Sequence, residues 1–487
     1  MIKHLVLILF LFMGPLLKAQ YFNELYDFSG GSEYGLSVLE INGGYFVNSG
    51  GVNSSGFEGL NYLITDFQGI VRHKKSYAHS TKWVRSGKAI LLLDNNIADI
   101  RTVGYSDSNG VIKCAVWFIK LNQLGDTLWS NEFMDSTVNC FAAQSIIQTS
   151  DSGFVLVCDK EVSVGNNNPV LIRTDKNGNE LFRKEIKTFN VEVIYDIVNN
   201  FTGDYILSGT GNSLHPSYDP WIVKVDSTFN IIWAEYYPFG NGTAAKAIVL
   251  QDSNILFTSD SLYSSGSQLS SYRLTKIDQS GNLIWDKKHD KPRRFGSYRD
   301  LIELNDKSIV VFGQYFEGNY PFRTLTKVTA EGDTIWKNLY YYKTKEDDNY
   351  LWDFIQTTDK GFLLAGNVIP QGSATQDLWL LKVDSNGCNN PACDSRVYDI
   401  RVGIDYRPQI NTEFKVFPNP VVSELNVVQQ TTDETIWEYQ LLNLNGQVLQ
   451  SGEIGQTKTL DVSGLAKGSY VLQLQHGPVK KSYKVVK

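Results

Sequence analysis

The sequence predicts an all-β protein: a seven-bladed β-propeller of four-stranded blades, closed by its own N-terminal strand and followed by a small C-terminal β-sandwich. Three observations carry this. A phrase joining a turn to an aromatic recurs about every 50 residues. The segments between its copies are short, rich in Val, Ile, Phe and Tyr, and bounded by Gly/Asn/Asp turns, with no long helical period. The pattern then changes after residue 413, which marks a second module.

The recurring phrase reads "IKLNQLGDTLWSNEF" (119–133), "VKVDSTFNIIWAEYY", "TKIDQSGNLIWDKKH" and "TKVTAEGDTIWKNLY". Its turn position falls at Gly69, Gly125, Gly178, Phe229, Gly281, Gly332 and Gly387, in steps of 56, 53, 51, 52, 51 and 55 residues. Ahead of each copy lies an alternating segment, a tight turn and a second apolar segment, as in "QSIIQTSDSGFVLVCD" and "DFIQTTDKGFLLAG". Residues 88–104 fill the remaining slot more weakly. Four short strands per repeat of this length make a propeller blade. Seven repeats make seven blades.

Within each blade the aromatic opens the fourth, outermost strand: Trp129, Phe182, Trp233, Trp285 and Trp336, with His73 in the first repeat. The last copy, "LKVDSNGCNNPACDS", stops before any aromatic. The surplus segment "YFNELYDF" (21–28) is similar to the missing strand. The N-terminus is therefore expected to complete the seventh blade, leaving no open sheet edge. The glycines let the turn take positive φ, and the indoles pack between neighbouring blades and bond through N–H. This Gly/Trp layout resembles the tryptophan-docking motif of quinoprotein-type propellers. It covers only the scaffold and implies no quinone, so no cofactor is expected.

The chain has 487 residues, 42% hydrophobic and 20% charged, enough to fold and too many for one core. Net charge −7 and pI near 5.5 exclude nucleic-acid backbone binding. One basic run, "KKHDKPRRF" (287–295), is expected to be a solvated loop. Residues 1–20, with Lys3, an apolar stretch from Leu5 to Leu17 and small Ala19, have the layout of a secretory signal peptide cleaved beside Ala19 or Gln20. No later segment is long and apolar enough to span a bilayer, so no membrane partner is expected after cleavage. The propeller is assigned to 21–393, a polar linker to 394–413 and the second module to 414–487. Cys388 and Cys393 are expected to close a small structural disulfide loop. Cys114 and Cys158 read as buried thiols, and Cys140 fits either state. No metal site is expected, because no CxxC pair or His cluster accompanies these cysteines.

The second module holds short alternating strands with Asn-Gly or Gly turns, as in a small β-sandwich. Its motifs "FPNPVVSEL" (417–425), "LLNLNGQVL" (441–449) and "LDVSGLAKGSYVLQL" (460–474), ending in "KSYKVVK", closely resemble the type A C-terminal sorting domain of proteins exported by the type IX secretion system of Bacteroidetes. The resemblance implies that Pro418, Asn419, Pro420, Gly446, Gly468 and Tyr470 belong to the sorting motif. It implies recognition by the type IX machinery and a secreted or outer-membrane-surface location, by release or by attachment to lipopolysaccharide.

No linear catalytic motif is present: HExxH, G-x-S-x-G and the P-loop are all missing. "TSDSGF" and "TTDKGF" are similar to part of the sialidase Asp-box but lack its Thr-Trp, and "DKNGNE" lacks a calcium-loop Glu. All three read as repeat turns. The long, variable loops fall on the face bearing the fourth-to-first and second-to-third strand connections, which marks it for binding. Aligning the first strands puts Gln144, Tyr195, Arg299 and Trp352 at equivalent places at the mouth, as ligand-binding candidates for a sugar or peptide. A partly exposed rim would look the same. The sequence thus describes a non-catalytic, monomeric binding module for a glycan or protein ligand. The alternatives are a polysaccharide lyase or hydrolase with acids converging in the channel and, on the Gly/Trp turn alone, a quinone-dependent dehydrogenase.

Overall fold

The computed structural model describes residues 21–389 and 414–487, apart from short segments of one to seven residues within them. The expected signal peptide 1–20, the expected linker 394–413 and Cys393 lie outside the described residues. The chain divides into two compact units, Met1–Asp399 and Ile400–Lys487. Among the described residues every regular element is a strand.

The first unit is built of antiparallel sheets whose strands follow one another in chain order. The first sheet runs Ser32–Ile41, Gly44–Val52, Glu58–Thr65, Val71–Ala78. The second runs Lys82–Leu91, Ile97–Ser106, Ile112–Leu121, Thr127–Phe133. Two further four-stranded sheets begin with Phe141–Gln148 and Glu192–Asn199. The strand Phe22–Tyr26 pairs with Asp377–Val383 and makes the fourth strand of the sheet that begins with Asp348–Gln356.

One sheet departs from expectation. The fifth and sixth repeats join in a single seven-stranded sheet, because Leu283–Glu303 runs without a break from the outer edge of one repeat into the first strand of the next. The basic run 287–295, expected as a solvated loop, lies within this strand. Its start pairs with Leu269–Ile277 and its end with Ile309–Glu317.

The repeated turn has a physical cause. The residue opening it accepts backbone N–H bonds from two and four residues on, as Asp175 does from Asn177 (2.8 Å) and Asn179 (2.9 Å). All seven turn positions take positive φ, including Phe229 at 65°. A Cβ at Gly178 would lie 2.6 Å from the Trp129 ring, and one at Gly332 would lie 2.9 Å from that of Trp285. Each indole is thus seated on the next repeat's glycine. Phe229 is the exception with a compensation. The preceding outer aromatic there is the smaller Phe182, and the two rings meet at 5.0 Å. Trp233 donates its N–H to the Gln279 carbonyl (3.0 Å), and Tyr237 bonds the Gly281 carbonyl (2.8 Å). Phe22 and Tyr26 repeat this arrangement on Gly69, with the Tyr26 hydroxyl 2.6 Å from the Gly69 carbonyl.

The cysteines bring a correction. Cys114, read as a buried thiol, is bridged to Cys140, whose backbone lies beside it with Cα atoms 4.4 Å apart. The two are 26 residues apart in sequence, which hid a pair that the sheet brings together. Cys158 is a buried free thiol. Cys388 is disulfide-bonded, and its expected partner Cys393 lies outside the described residues.

In the second unit a three-stranded and a four-stranded sheet share one core around Leu425, Trp437, Leu441 and Leu472. Several of the sorting-motif residues tie down the chain end. Asn419 bonds the Lys484 carbonyl and the Val486 N–H, each at 2.8 Å, while Gly468 and Lys487 exchange backbone bonds at 3.0 and 2.9 Å. Tyr470 is buried with its hydroxyl on the Ala466 carbonyl (2.7 Å), Gly446 turns at φ 79°, and Pro418 and Pro420 are exposed.

Candidate functional site

The first strands of the sheets pack on one another in succession, and Ser32–Ile41 touches both Lys82–Leu91 and Asp348–Gln356. Where they converge, three kinds of side chain are layered along the strands.

The first layer holds the four candidates. Gln144, Tyr195, Arg299 and Trp352 each occupy the extra residue of a β-bulge, between Ala143 and Ser145, Ile194 and Asp196, Tyr298 and Asp300, and Leu351 and Asp353. A bulge adds a residue to one strand and re-aims its side chain. Trp352 is 42% exposed and Tyr195 38%. The Trp352 N–H is fixed on Asn367 Oδ1 (2.8 Å), and its ring lies parallel to that of Tyr350, 5.9 Å away at 5°. The indole edge is thereby held in place. Arg299 is open to solvent yet hemmed in by protein, as a side chain lining a narrow passage would be. That surround lowers its pKa, against Asp260 and Tyr195, which favour the cation. Gln144 is turned aside: its amide donates to Asp159 Oδ2 at 2.5 Å. Burial pushes the Asp159 carboxyl up to about 7, with only that amide opposing.

Behind this layer lies a residue that sequence reasoning missed. Arg323, on the strand Tyr320–Val328, is fully buried with its guanidinium 5.0 Å from the centre of the Tyr350 ring. Its Nε and Nη1 have no hydrogen-bond partner, and among the described residues no carboxylate pairs with it. Burial and the nearby Arg299 cation push its pKa down to about 9, which still leaves it charged at neutral pH. An arginine in the third strand of a repeat has no distinguishing mark in sequence.

One residue further along the strands lies a charged layer. Lys88 bonds Asp196 (2.5 Å) and Ser145 (3.1 Å), Ser145 donates to Asp196 (2.5 Å), and Lys246 pairs with Asp300 (2.5 Å). Burial raises Asp196, but Lys88 and Lys246 outweigh it and hold this carboxyl below its ordinary value. Asp353 shows the opposite balance. Burial and then the neighbouring Asp300 raise it, with Lys246 and Lys88 opposing, and its Oδ2 accepts the Val38 N–H (2.9 Å). Two residues on come partly buried aliphatics: Leu39, Ile90, Ile147, Val198, Ile248, Ile302 and Ile355.

Two other features stand out. A surface depression of about 500 Å³ lies between Lys120, Trp129 and Lys176, lined by strand and repeat-turn residues, and Lys120 is already bonded to Asp94 (2.6 Å). Asp27, Glu33 and Asp377 bring carboxylate oxygens within 4.8 Å of one another. Asp27 is exposed, while Glu33, on the converging strand Ser32–Ile41, is buried and its N–H bonds the carbonyl of Gln376, whose side chain bonds Asn367.

Residues 415–487 match the family model of the secretion system C-terminal sorting domain. This supports export by type IX secretion and a secreted or cell-surface destination. None of the curated proteins matches the chain. Among solved structures it is similar to a protein of unknown function from Dyadobacter fermentans, at 8% identity and TM-score 0.44, covering 63% of this chain and 96% of that one. It is also similar to a bat-strain neuraminidase-like protein (A/bat/Guatemala), at 11% identity and TM-score 0.36, covering 78% of this chain and 97% of that one. Likenesses this remote carry no argument about chemistry. Among the described residues no helix is long and apolar enough to cross a membrane.

Proposed function

We propose that the chain is an exported binding module. Its sheets are the seven blades of a propeller (21–393) closed by Phe22–Tyr26, its signal peptide is 1–20, and a linker (394–413) joins a type A sorting domain (414–487). Its ligand is a glycan or protein held at the mouth by Tyr195, Arg299 and Trp352, with Gln144 beside them. The observation that supports this reading is the set of bulges that puts two half-exposed aromatics and a cation at equivalent positions of their first strands. The bonding of Tyr26 to Gly69, which mirrors the contacts between successive repeats, supports closure. The module acts as a monomer and uses no cofactor. It is released at the surface or attached to lipopolysaccharide. A glycan-array screen of the full exported chain, with bound sugars then checked for cleavage, tests this. Binding without turnover is the expected outcome, and turnover would overturn the non-catalytic reading.

One observation favours a second reading, a hydrolase or lyase. Asp353 is held toward its protonated form by burial and by the neighbouring Lys246-paired Asp300, and a raised carboxyl within a cluster of charges is a feature of acid–base sites. Against it, the lysines, Ser145 and the Val38 N–H already bond Asp196, Asp300 and Asp353, as in an internal brace.

A further inference from the structure

We propose that the mouth recognises an acidic glycan, one whose sugar rings carry a carboxylate or sulfate, through Arg299 in contact and Arg323 acting from behind. The proposal rests on the binding reading above and names its ligand class.

Two guanidiniums lie within electrostatic reach of each other. The inner one is 0% exposed, has two N–H-bearing nitrogens without an acceptor, and lies over the face of Tyr350. A buried charge without a counter-ion costs stability, and that cost has no structural return here. What it does supply is field. In a medium of low polarisability the positive potential of Arg323 reaches the mouth nearly unscreened, where Arg299 stands open to solvent. An oxyanion seated on Arg299 would supply the counter-charge that Arg323 lacks.

The adjoining surface selects among anions. Trp352 is held by Asn367 on its edge and backed by Tyr350, so what it offers is its face, and Tyr195 offers a second ring near Arg299. Flat aromatic platforms beside a cation fit a pyranose ring bearing an acidic group. An acidic peptide would use the arginines but not the platforms.

The test is calorimetric titration of the full exported chain with four probes: polygalacturonate oligosaccharides, sulfated dextran oligosaccharides, neutral dextran oligosaccharides and a polyglutamate peptide. The expected result is binding of an acidic oligosaccharide at least about tenfold tighter than of the neutral one or the peptide. The carboxylate and sulfate arms then distinguish the source of the oxyanion. Arg299→Gln is expected to weaken that binding about 10- to 100-fold. Arg323→Met weakens it about tenfold while raising Tm, and Arg323→Lys, which keeps the charge, restores most of the affinity. Equal binding of neutral and acidic sugars would overturn the acidic-ligand inference and leave the binding module standing. Tighter binding of polyglutamate would overturn the sugar class. Binding of none of the four would overturn both. A fall in Tm for Arg323→Met with affinity unchanged would make Arg323 a structural residue and remove it from the proposal.

Discussion

Among the described residues, Arg101 and Arg323 are the two largest charged side chains buried without measurable exposure, and their surroundings differ in kind. Arg101 lies in the second sheet with its Nε on both oxygens of Asp99, at 3.0 and 3.1 Å. Asn48 and Tyr62 of the first sheet donate to the same carboxylate at 3.0 and 2.9 Å. That cation belongs to a network tying two repeats together. Arg323 has an aromatic face, a neighbouring arginine and, among the described residues, no carboxylate. Both guanidiniums keep two buried nitrogens without a bond, but Arg101 has a carboxylate on its Nε and Arg323 has none among the described residues. A paired charge separates scaffold from binding surface here, where burial and unbonded nitrogens do not.

Removing one partner of the compensated pair has the largest expected effect. Arg101→Met leaves Asp99 buried without its cation and costs about 3–5 kcal/mol of unfolding free energy, measured by denaturant titration; adding Asp99→Asn should recover part of it. A change of less than about 1 kcal/mol would erase the contrast with Arg323.

Burial acts on carboxyls too and is read by pH. It raises Asp99 even against Arg101, and it raises Asp159, which has only the Gln144 amide opposing, to about 7. Stability is therefore full below the ordinary carboxylate value and is lost as pH climbs from about 4 to about 7, because the unfolded chain ionises freely and the folded one does not. Asp159→Asn should remove this slope and gain about 2–4 kcal/mol above pH 7, with no gain at pH 4. Unfolding curves across that range check it.

Smaller and of opposite sign to the Arg101 effect is Arg323→Met in the free protein. Exchanging an unanswered cation for an apolar chain of similar length should gain about 1–2 kcal/mol. Smallest is Trp352→Ala. Its half-exposed ring contributes within about 0.5 kcal/mol to stability, yet its loss should weaken ligand binding about tenfold. A large stability loss there would place Trp352 in the scaffold.

The repeats were legible because they share local chemistry: a turn residue at positive φ, an opening Asp, Asn or Thr that bonds its own backbone, and in most an aromatic seated on the next glycine. Phe229, the one turn position without glycine, is a paired change with Phe182. The four bulge residues could be aligned because their distance to the following turn is nearly constant. The merged strand through 287–295 was hidden, since a run of Lys, Arg and Pro usually signals a loop. The Cys114–Cys140 bridge and the loneliness of Arg323 were hidden for one reason. Both depend on what stands beside a residue across strands or sheets, and periodicity within one strand does not report its neighbours.

The most direct test of an unanswered charge at the mouth is the Tm of wild type and Arg323→Met, each with and without saturating polygalacturonate oligosaccharide or, if that is the tighter probe, sulfated dextran. The account predicts that the variant starts higher than wild type by about 1–3 °C and that ligand raises wild type distinctly more than the variant. A variant that starts lower, or two proteins raised equally by the ligand, would contradict it.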